Sequence, residues 1–283
     1  MRIVRLDIRH FHDNVNRTRI LAKLIDDARL SHQSLILLQN LFSDPTIAGC
    51  PGLPKGLGIS AVLSELYMKY FDIDFKKIEG VYYYARFVDD IIVFCNSETS
   101  KNLSWKYATV ELEKLGLQLN TEKSYCLNPR QPGTSSTYLG YNFQITGNRL
   151  EISIAPKKLN VIKTRITKTF VRYSKDHDFG LLKLRIKFLT GNFTLYNPHT
   201  LQPIKVGIYF NYKMANEVSA LKALDLYYQR LLHCRTGRLG SAIALSKSQV
   251  KELEKYSFCF GYNNRVNHHF TTDQMVKIAN CWR

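Results

Sequence analysis

The run Tyr82-Tyr83-Tyr84-Ala85-Arg86-Phe87-Val88-Asp89-Asp90-Ile91-Ile92-Val93-Phe94-Cys95 constrains this chain more than any other. Aromatic and β-branched residues on both sides of two acids predict a pair of strands joined as a tight hairpin, because such side chains suit a pleated, half-buried surface. The acids then fall at the turn. Asp is an ordinary turn residue, yet a tight turn between apolar strands calls for Gly or Asn, and Val88 stands there instead. Adjacent carboxylates also repel each other, and a metal cation is the usual means of keeping such a pair ionised. A turn poorly made for folding and well made for a cation points to function.

A third acid lies near the start of the chain. Residues 2–8 read as a strand through Ile3, Val4, Leu6 and Ile8, with Asp7 near its end. After a turn at 10–15, Asn16 or Thr18 caps a helix bearing Ile20, Leu21, Leu24, Ile25 and Ala28. Ser31 caps a second helix over 35–42. A Gly/Pro-rich loop follows at 49–60, and it enters a helix at Ser60 that carries Leu63, Leu66, Tyr67 and Tyr70. Such a loop lets backbone approach a ligand closely, and a helix start offers free N–H groups to phosphate oxygens; read plainly, it is a connector. Residues 71–80, with Asp72 and Asp74, read as a polar connection. A helix over 103–116, a strand over 117–127 with a turn at 120–123, and a second hairpin built from 138–143 and 150–154 complete this half. The second hairpin turns at Thr146-Gly147-Asn148.

The order strand, helices, strand, strand, helix, strand is a split βαββαβ pattern, an α+β fold with helices on one face of an antiparallel sheet. It makes the first strand a neighbour of the acidic hairpin. Asp7 and Asp89 are then expected to meet across adjacent strands, about 5 Å apart at the backbone, a spacing suited to carboxylates that bridge two metal ions.

After Pro156 the composition turns to helix formers and bases. Lys157, Lys158, Lys163, Arg165 and Lys168 fall on one helix whose core side is Leu159, Ile162, Ile166, Phe170 and Tyr173. Basic side chains on one helix face suit duplex phosphates; the plain alternative is a solvated face. Residues 192–212 read as irregular and aromatic. Helices are expected over about 213–233, 246–256 and 272–281. The formal net charge is +17, which favours a polyanionic partner such as nucleic acid. No apolar run is long enough for a membrane helix, and the charged start does not read as a signal peptide. The six Cys are scattered, without a Cys-x-x-Cys pair. That pattern argues for reduced thiols in a cytoplasm rather than a disulfide framework or zinc module.

Taken together, five motifs in order resemble the palm and thumb of reverse transcriptases over about residues 2–175. Arg5-Leu6-Asp7-Ile8-Arg9-His10-Phe11 resembles the first catalytic motif. Gly52-Leu53-Pro54-Lys55-Gly56 with Ser60 resembles the second. Phe87-Val88-Asp89-Asp90 resembles the aromatic-x-Asp-Asp turn, and Gly116-Leu117-Gln118-Leu119-Asn120 with Lys123 the fourth motif. Tyr138-Leu139-Gly140-Tyr141 resembles the primer grip. The wording of residues 56–65 and 84–90 is similar to bacterial, defence-associated reverse transcriptases, in particular the second enzyme of two-polymerase antiphage operons. The family's fingers subdomain would precede the first motif, so the resemblance implies that its contacts come from outside this sequence. His12 stands where the family usually has an aromatic ring, Lys55 where it has Gln, and Ala61 where it has Pro.

The resemblance implies a palm over 1–155, a basic helical thumb over 156–195 and a mainly helical extension over 196–283. It implies an RNA-directed DNA polymerase that extends a DNA 3′ end with two Mg²⁺ ions, Mn²⁺ being the substitute. Asp7, Asp89 and Asp90 would act as catalytic carboxylates. Asp7, Asp89, Asp90 and the Ile8 carbonyl would be metal ligands, and Lys123 either a proton donor to pyrophosphate or a solvated turn residue. Phe11, His12, Gly52, Pro54, Lys55, Gly56 and Ser60 would meet nucleotide and template. Leu139, Gly140 and Tyr141 would meet the primer, and Lys157, Lys158, Lys163, Arg165 and Lys168 the duplex. Implied partners are the RNA template, the DNA primer and product, a non-coding RNA and a second reverse transcriptase, in a bacterial cytoplasm and without a membrane. Two other readings stay open: a non-catalytic or partner-dependent nucleic-acid-binding subunit, and template-independent or protein-primed synthesis.

Overall fold

A computed structural model describes residues 1–28, 30–131, 133–147, 149–197 and 200–282. The chain forms two compact units, Met1–Thr134 and Ser135–Arg283. The first runs β1 (Arg2–Asp7), α1 (Phe11–Asn14), α2 (Arg17–Asp26), α3 (His32–Ser43), α4 (Pro45–Ala48), α5 (Gly58–Phe75), β2 (Val81–Phe87), β3 (Asp90–Cys95), α6 (Glu98–Lys114) and β4 (Tyr125–Leu127). Its sheet has the order β2-β3-β1-β4, with every pair antiparallel.

Alternation decides which face of this sheet is buried. Val4, Leu6 and Ile8 are at most 1% exposed, and Val4 and Leu6 lie opposite Val93 and Ile91, both at 0%. The period-2 pattern therefore sends Arg5, Asp7 and Asp90 to the other face. Helices α5 and α6 cover the apolar face. Leu63, Tyr67, Phe71 and Phe75 recur every four residues along α5, and Ala108 and Leu112 meet the same core from α6.

Several boundaries differ from the sequence expectation. Helix α5 begins at Gly58 and runs on to Phe75, through what reads as a polar connection. Phe71 and Phe75 complete its apolar stripe, and the acid at 72 is neutralised by Arg86 (below). Helix α6 begins earlier, at Glu98, behind a Ser97/Ser100 capping box. Its first buried residues are Ser100 and Ser104, whose hydroxyls bond within the helix, so an apolar pattern misses that turn. Asn16, not Thr18, caps α2 by accepting from the Arg19 N–H at 3.0 Å. Part of the 10–15 turn is the short helix α1. The 117–127 strand shrinks to β4 plus an isolated bridge between Ile8 and Leu119.

The second unit runs β5 (Ser135–Tyr138), β6 (Tyr141–Thr146), β7 (Arg149–Ile154), α7 (Pro156–Asp176), α8 (Phe179–Thr190), β8 (Asn192–Tyr196), β9 (Pro203–Gly207), α9 (Ile208–Tyr212), α10 (Ser219–Leu232), α11 (Gly237–Ile243), α12 (Lys247–Leu253), α13 (Phe258–Asn263) and α14 (Thr272–Ala279). Strands β5, β6 and β7 form an antiparallel sheet in sequence order. The Asn148 part of the expected 146–148 turn lies outside the described residues. Ile162, Ile166, Phe170 and Tyr173 of α7 pack with Leu182, Ile186 and Leu189 of α8 and Leu221, Leu224 and Tyr228 of α10. The stretch read as irregular holds the β8–β9 hairpin, where Phe193 pairs with Val206 and Leu195 with Ile204. Helices α11 and α13 have no sequence-level counterpart; both are short and carry Gly, which weakens the periodic signal.

Among the described residues no helix is long and apolar enough to cross a membrane. The cysteines differ sharply in access. Cys50 is exposed and Cys95 is fully buried. Burial, together with the Asp225 carboxylate beside it, pushes the Cys259 thiol up to about 11. Since the thiolate is the nucleophile, maleimide at neutral pH is expected to label Cys50 first and Cys95 only after unfolding, as peptide mass spectrometry would show.

Candidate active site

Asp7 ends β1 and Asp89 sits in the β2–β3 turn. Strand register pairs Asp7 with Asp90, not Asp89. Phe87 pairs with Asp90, which leaves Val88 and Asp89 as a two-residue turn. Asp89 reaches the first strand through its carbonyl, which accepts from the Ile8 N–H at 3.0 Å. In a strand the N–H and C=O of one residue leave by the same edge, so the Ile8 carbonyl is directed to the same end of the hairpin.

Asp7 is held on three sides. Its N–H donates to Ser124 Oγ at 3.0 Å, its carbonyl accepts from the Asn120 N–H at 2.7 Å, and Lys123 Nζ stands 3.4 Å from its carboxylate. The segment between α6 and β4 thus wraps the end of β1. Asp7 is only 5% exposed, while Asp89 is half-buried. The Asp89 carboxyl sits above its ordinary range, chiefly because burial penalises its charge, with repulsion from Asp7 and Asp90 adding to this. Asp90 is held differently: Arg5 binds its carboxylate at 2.9 Å.

Asp7, Asp89 and Lys123 border an open cavity of about 530 Å³. Of the expected site residues, Asp7, Ile8, Phe11, His12, Lys55, Asp89 and Lys123 line it. So do Arg9, Asp13 and Asn120, to which sequence reasoning gave no site role, and Val88 of the turn. Asp90 is not among the described lining residues. The ring of His12 meets that of the buried Phe11 edge-on, with centroids 5.4 Å apart. Lys55 reaches the cavity while its ammonium bonds Asp13 at 2.9 Å, which holds the Asp13 carboxyl below its usual range.

The Gly/Pro loop docks directly on the first motif. The Leu53 N–H donates to the His12 carbonyl at 2.7 Å. Arg17, an unforeseen clamp, donates to the carbonyls of Gly52, Ile47 and Cys50. Ser60 does not cap α5; its hydroxyl donates to the Pro54 carbonyl at 2.6 Å and closes the loop on itself. A Cβ at Gly52 (φ +61°) would stand 2.0 Å from the His12 carbonyl oxygen, whereas one at Gly56 (φ +90°) would meet open space. Gly52→Ala is therefore expected to cost about 2–3 kcal/mol and Gly56→Ala only about 1. Urea unfolding of the two variants would check the difference.

The turn itself is strained. Val88 has φ 59°, the first position of a two-residue hairpin where Gly normally stands. Arg86 holds it there. Its guanidinium is 2% exposed, forks onto Asp72 at 2.9 and 2.7 Å, reaches Glu65 at 3.0 and 2.8 Å, and donates to the Val88 carbonyl at 3.0 Å. Tyr84 adds its hydroxyl to Asp72 at 2.6 Å. A charged residue inside an apolar strand was the one available sign of this network.

The remaining expected residues belong to the second unit. Leu139 (φ 46°) and Gly140 (φ 88°) are not strand residues but the two central residues of a turn between the paired Tyr138 and Tyr141. Two positive φ values match the twist of the flanking strands. The Gly140 carbonyl accepts from the Ala155 N–H at 3.0 Å, which ties the turn to the start of α7. Tyr141 donates its hydroxyl to the Asn211 carbonyl. Lys157 and Lys158 are exposed in the first turn of α7. Lys163 lies over the Tyr227 ring, Arg165 over Trp282, and Lys168 donates to the Trp282 carbonyl.

Among the described residues no group of three or more His, Cys, Asp or Glu is placed to hold a metal. The donor set nevertheless fits a hard divalent cation. Asp7 and Asp89 present carboxylate oxygens to one cavity, and their mutual repulsion is what such a cation relieves. Small divalent ions at phosphate-handling sites commonly take one or two carboxylates and complete their shell with substrate phosphate and water. An antiparallel sheet that offers two carboxylates over an open, cation-lined cavity suits phosphoryl transfer.

Residues 2–143, half of the chain, match the reverse transcriptase (RNA-dependent DNA polymerase) family. The chain belongs to that family, and its fold is of the family's α+β kind. Among solved structures it is similar to telomerase from Candida albicans in complex with the TWJ fragment of telomeric RNA (13% identity, 99% of this chain and 47% of that one, TM-score 0.43). It is likewise similar to the corresponding Candida tropicalis complex (13% identity, 99% and 49%, TM-score 0.42). The chain thus spans about half the length of those structures. Comparison with curated proteins finds no match.

Proposed function

We propose that this chain carries the nucleotidyl-transfer site of an RNA-directed DNA polymerase, which extends a DNA 3′ end on an RNA template. The observation that supports this most is the meeting of Asp7 and Asp89 at one cavity, from a strand end and a strained turn far apart in sequence. Asp7, Asp89 and the Ile8 carbonyl would hold Mg²⁺, or Mn²⁺ in its place. When bound, such ions lower the pKa of the primer hydroxyl and neutralise the triphosphate and leaving pyrophosphate. The chain's own residues position and screen. Asp7 is fixed by backbone bonds on two sides, so its carboxylate needs little reorganisation. Lys123 brings a positive charge to the same carboxylate and is suited to meet the leaving group. Arg9 and Lys55 add positive charge at the cavity, where a triphosphate needs it. Phe11 and His12 present a ring pair to the nucleotide sugar. Asp90, bound by Arg5, serves to orient the strand end.

In the same reading residues 1–155 act as palm, 156–195 as thumb and 196–283 as an extension. Lys157 and Lys158 face duplex phosphates, and Leu139-Gly140-Tyr141 faces the primer. The motif wording at 56–65 and 84–90 supports a bacterial, cytoplasmic role in antiviral defence, with a non-coding RNA and a second reverse transcriptase as partners.

The test is incorporation of labelled deoxynucleotide on primed RNA with Mg²⁺, by the chain and by its Asp89→Ala variant. Incorporation by the chain and none by the variant is the expected result. Incorporation that survives Asp89→Ala would end the assignment of this site. Neither protein incorporating, with equal RNA binding by both, would favour a partner-dependent binding subunit, and products unrelated to the template would favour template-independent synthesis.

A further inference from the structure

The second unit contains a buried cation that has no anionic partner among the described residues. Arg185, on α8, is 2% exposed. Its Nε and Nη1 are buried and have no hydrogen-bond partner among the described residues, and its Nη2 makes one long contact, 3.4 Å, to the Lys277 carbonyl. A guanidinium carries five donors in a fixed fork. Burying one with most of them idle costs far more than burying a paired one.

The idle fork borders a cavity of about 210 Å³ between α7, α8 and the end of α14. Arg172, Lys277, Asn280, Cys281 and Leu181 complete its lining. Three cations and an amide thus face one small space, and among the described residues no carboxylate lines it. One of these cations, Arg172, is paired through its Nε with Asp176 at 2.9 Å, an acid that is not among the residues lining the cavity. The polymerase reading gives no role to Arg185 or to this cavity, although it takes primer and duplex contacts from elsewhere in the second unit.

We propose that this cavity is a binding site for a phosphate monoester dianion. A planar fork with two flanking cations matches a tetrahedral oxyanion with several acceptor oxygens. The cavity is small enough to take a terminal phosphate and the first atoms attached to it, and too small for a strand to run through. An anion seated there supplies the counter-charge that Arg185 lacks.

The test uses the full chain and inorganic phosphate as the probe, with chloride matching the ionic strength. Calorimetric titration and thermal unfolding are read for the chain, for Arg185→Met and for Lys277→Gln. Lys277 is exposed, so its variant tests the site even where the buried substitution disturbs folding. Phosphate is expected to raise the Tm of the chain, and each variant to bind it at least about tenfold more weakly. Without phosphate, Arg185→Met is expected to unfold at the same temperature as the parent or a higher one, because an unpaired buried charge has gone. Equal response of all three proteins, or no response from the parent chain, overturns the proposal. Competition by a 5′-phosphorylated oligonucleotide but not by its 5′-hydroxyl form would identify the source as a nucleic-acid end, and competition by neither would identify a free phosphate or a small ester. Equal competition by both would show that internal phosphodiesters suffice, and would overturn the monoester assignment.

Discussion

Asp7→Asn is expected to leave the fold intact and to lower nucleotide incorporation by about 10²–10³-fold or more. The side chains are the same size, and the bonds that seat this residue come from its backbone: its N–H to Ser124 Oγ and its carbonyl to the Asn120 N–H. Neither depends on the carboxylate. The ion pair with Lys123 would be lost, but that lysine is mostly exposed and such pairs contribute little to stability. The neutral amide also ends the repulsion between Asp7 and the half-buried Asp89, whose carboxyl burial and neighbouring charge already hold above its usual range. Thermal unfolding should therefore show an unchanged or higher Tm beside a collapsed rate. A drop in Tm as large as the drop in rate would mean that Asp7 is a structural residue.

Arg86→Met should act the other way, on stability first. Removing the guanidinium strands Asp72, which is 19% exposed and would keep only the Tyr84 hydroxyl. Breaking one side of a buried pair costs about 3–5 kcal/mol, because the surviving charge is left in a poor solvent. The Glu65 arm adds little, since that carboxylate is mostly exposed. Replacing Asp72 with Asn in the same chain should recover a substantial part of the loss, as a double-mutant cycle measured by denaturant unfolding would show. The Val88 carbonyl also loses its donor, so the strained turn that carries Asp89 is freed to relax. Incorporation by the double variant should stay low even where stability returns. Full recovery of activity with stability would reduce Arg86 to a packing role.

Both predictions concern residues whose partners are distant in sequence. The strand identity of residues 2–8 was legible from the apolar residues Ile3, Val4, Leu6 and Ile8, and that of the acidic hairpin from the aromatic and β-branched runs on either side of the two acids. The adjacency of those two elements followed from element order. Three kinds of detail were not legible. Helix boundaries at α5 and α6 depended on Ser100, Ser104 and Asp72 being buried or neutralised by partners that no local pattern reveals. The Leu139-Gly140 segment reads as strand because Leu is apolar, yet the pairing of Tyr138 with Tyr141 forces it to turn. The pairing of Asp90 with Arg5 needed the register, which sets both on one strand face.

The local sequence by itself determined the first strand, the hairpin strands and the placing of an acidic pair at the hairpin's end, of which the register leaves Asp89 in the turn and Asp90 in β3, since side-chain preference and turn chemistry act between near neighbours. Only the tertiary structure decided which carboxylates share a cavity, which arginine restrains the strained Val88 turn, and that Arg185 is buried with an idle fork. Those outcomes depend on burial and electrostatic pairing between segments tens to more than a hundred residues apart, and the local pattern of a chain does not encode such distances.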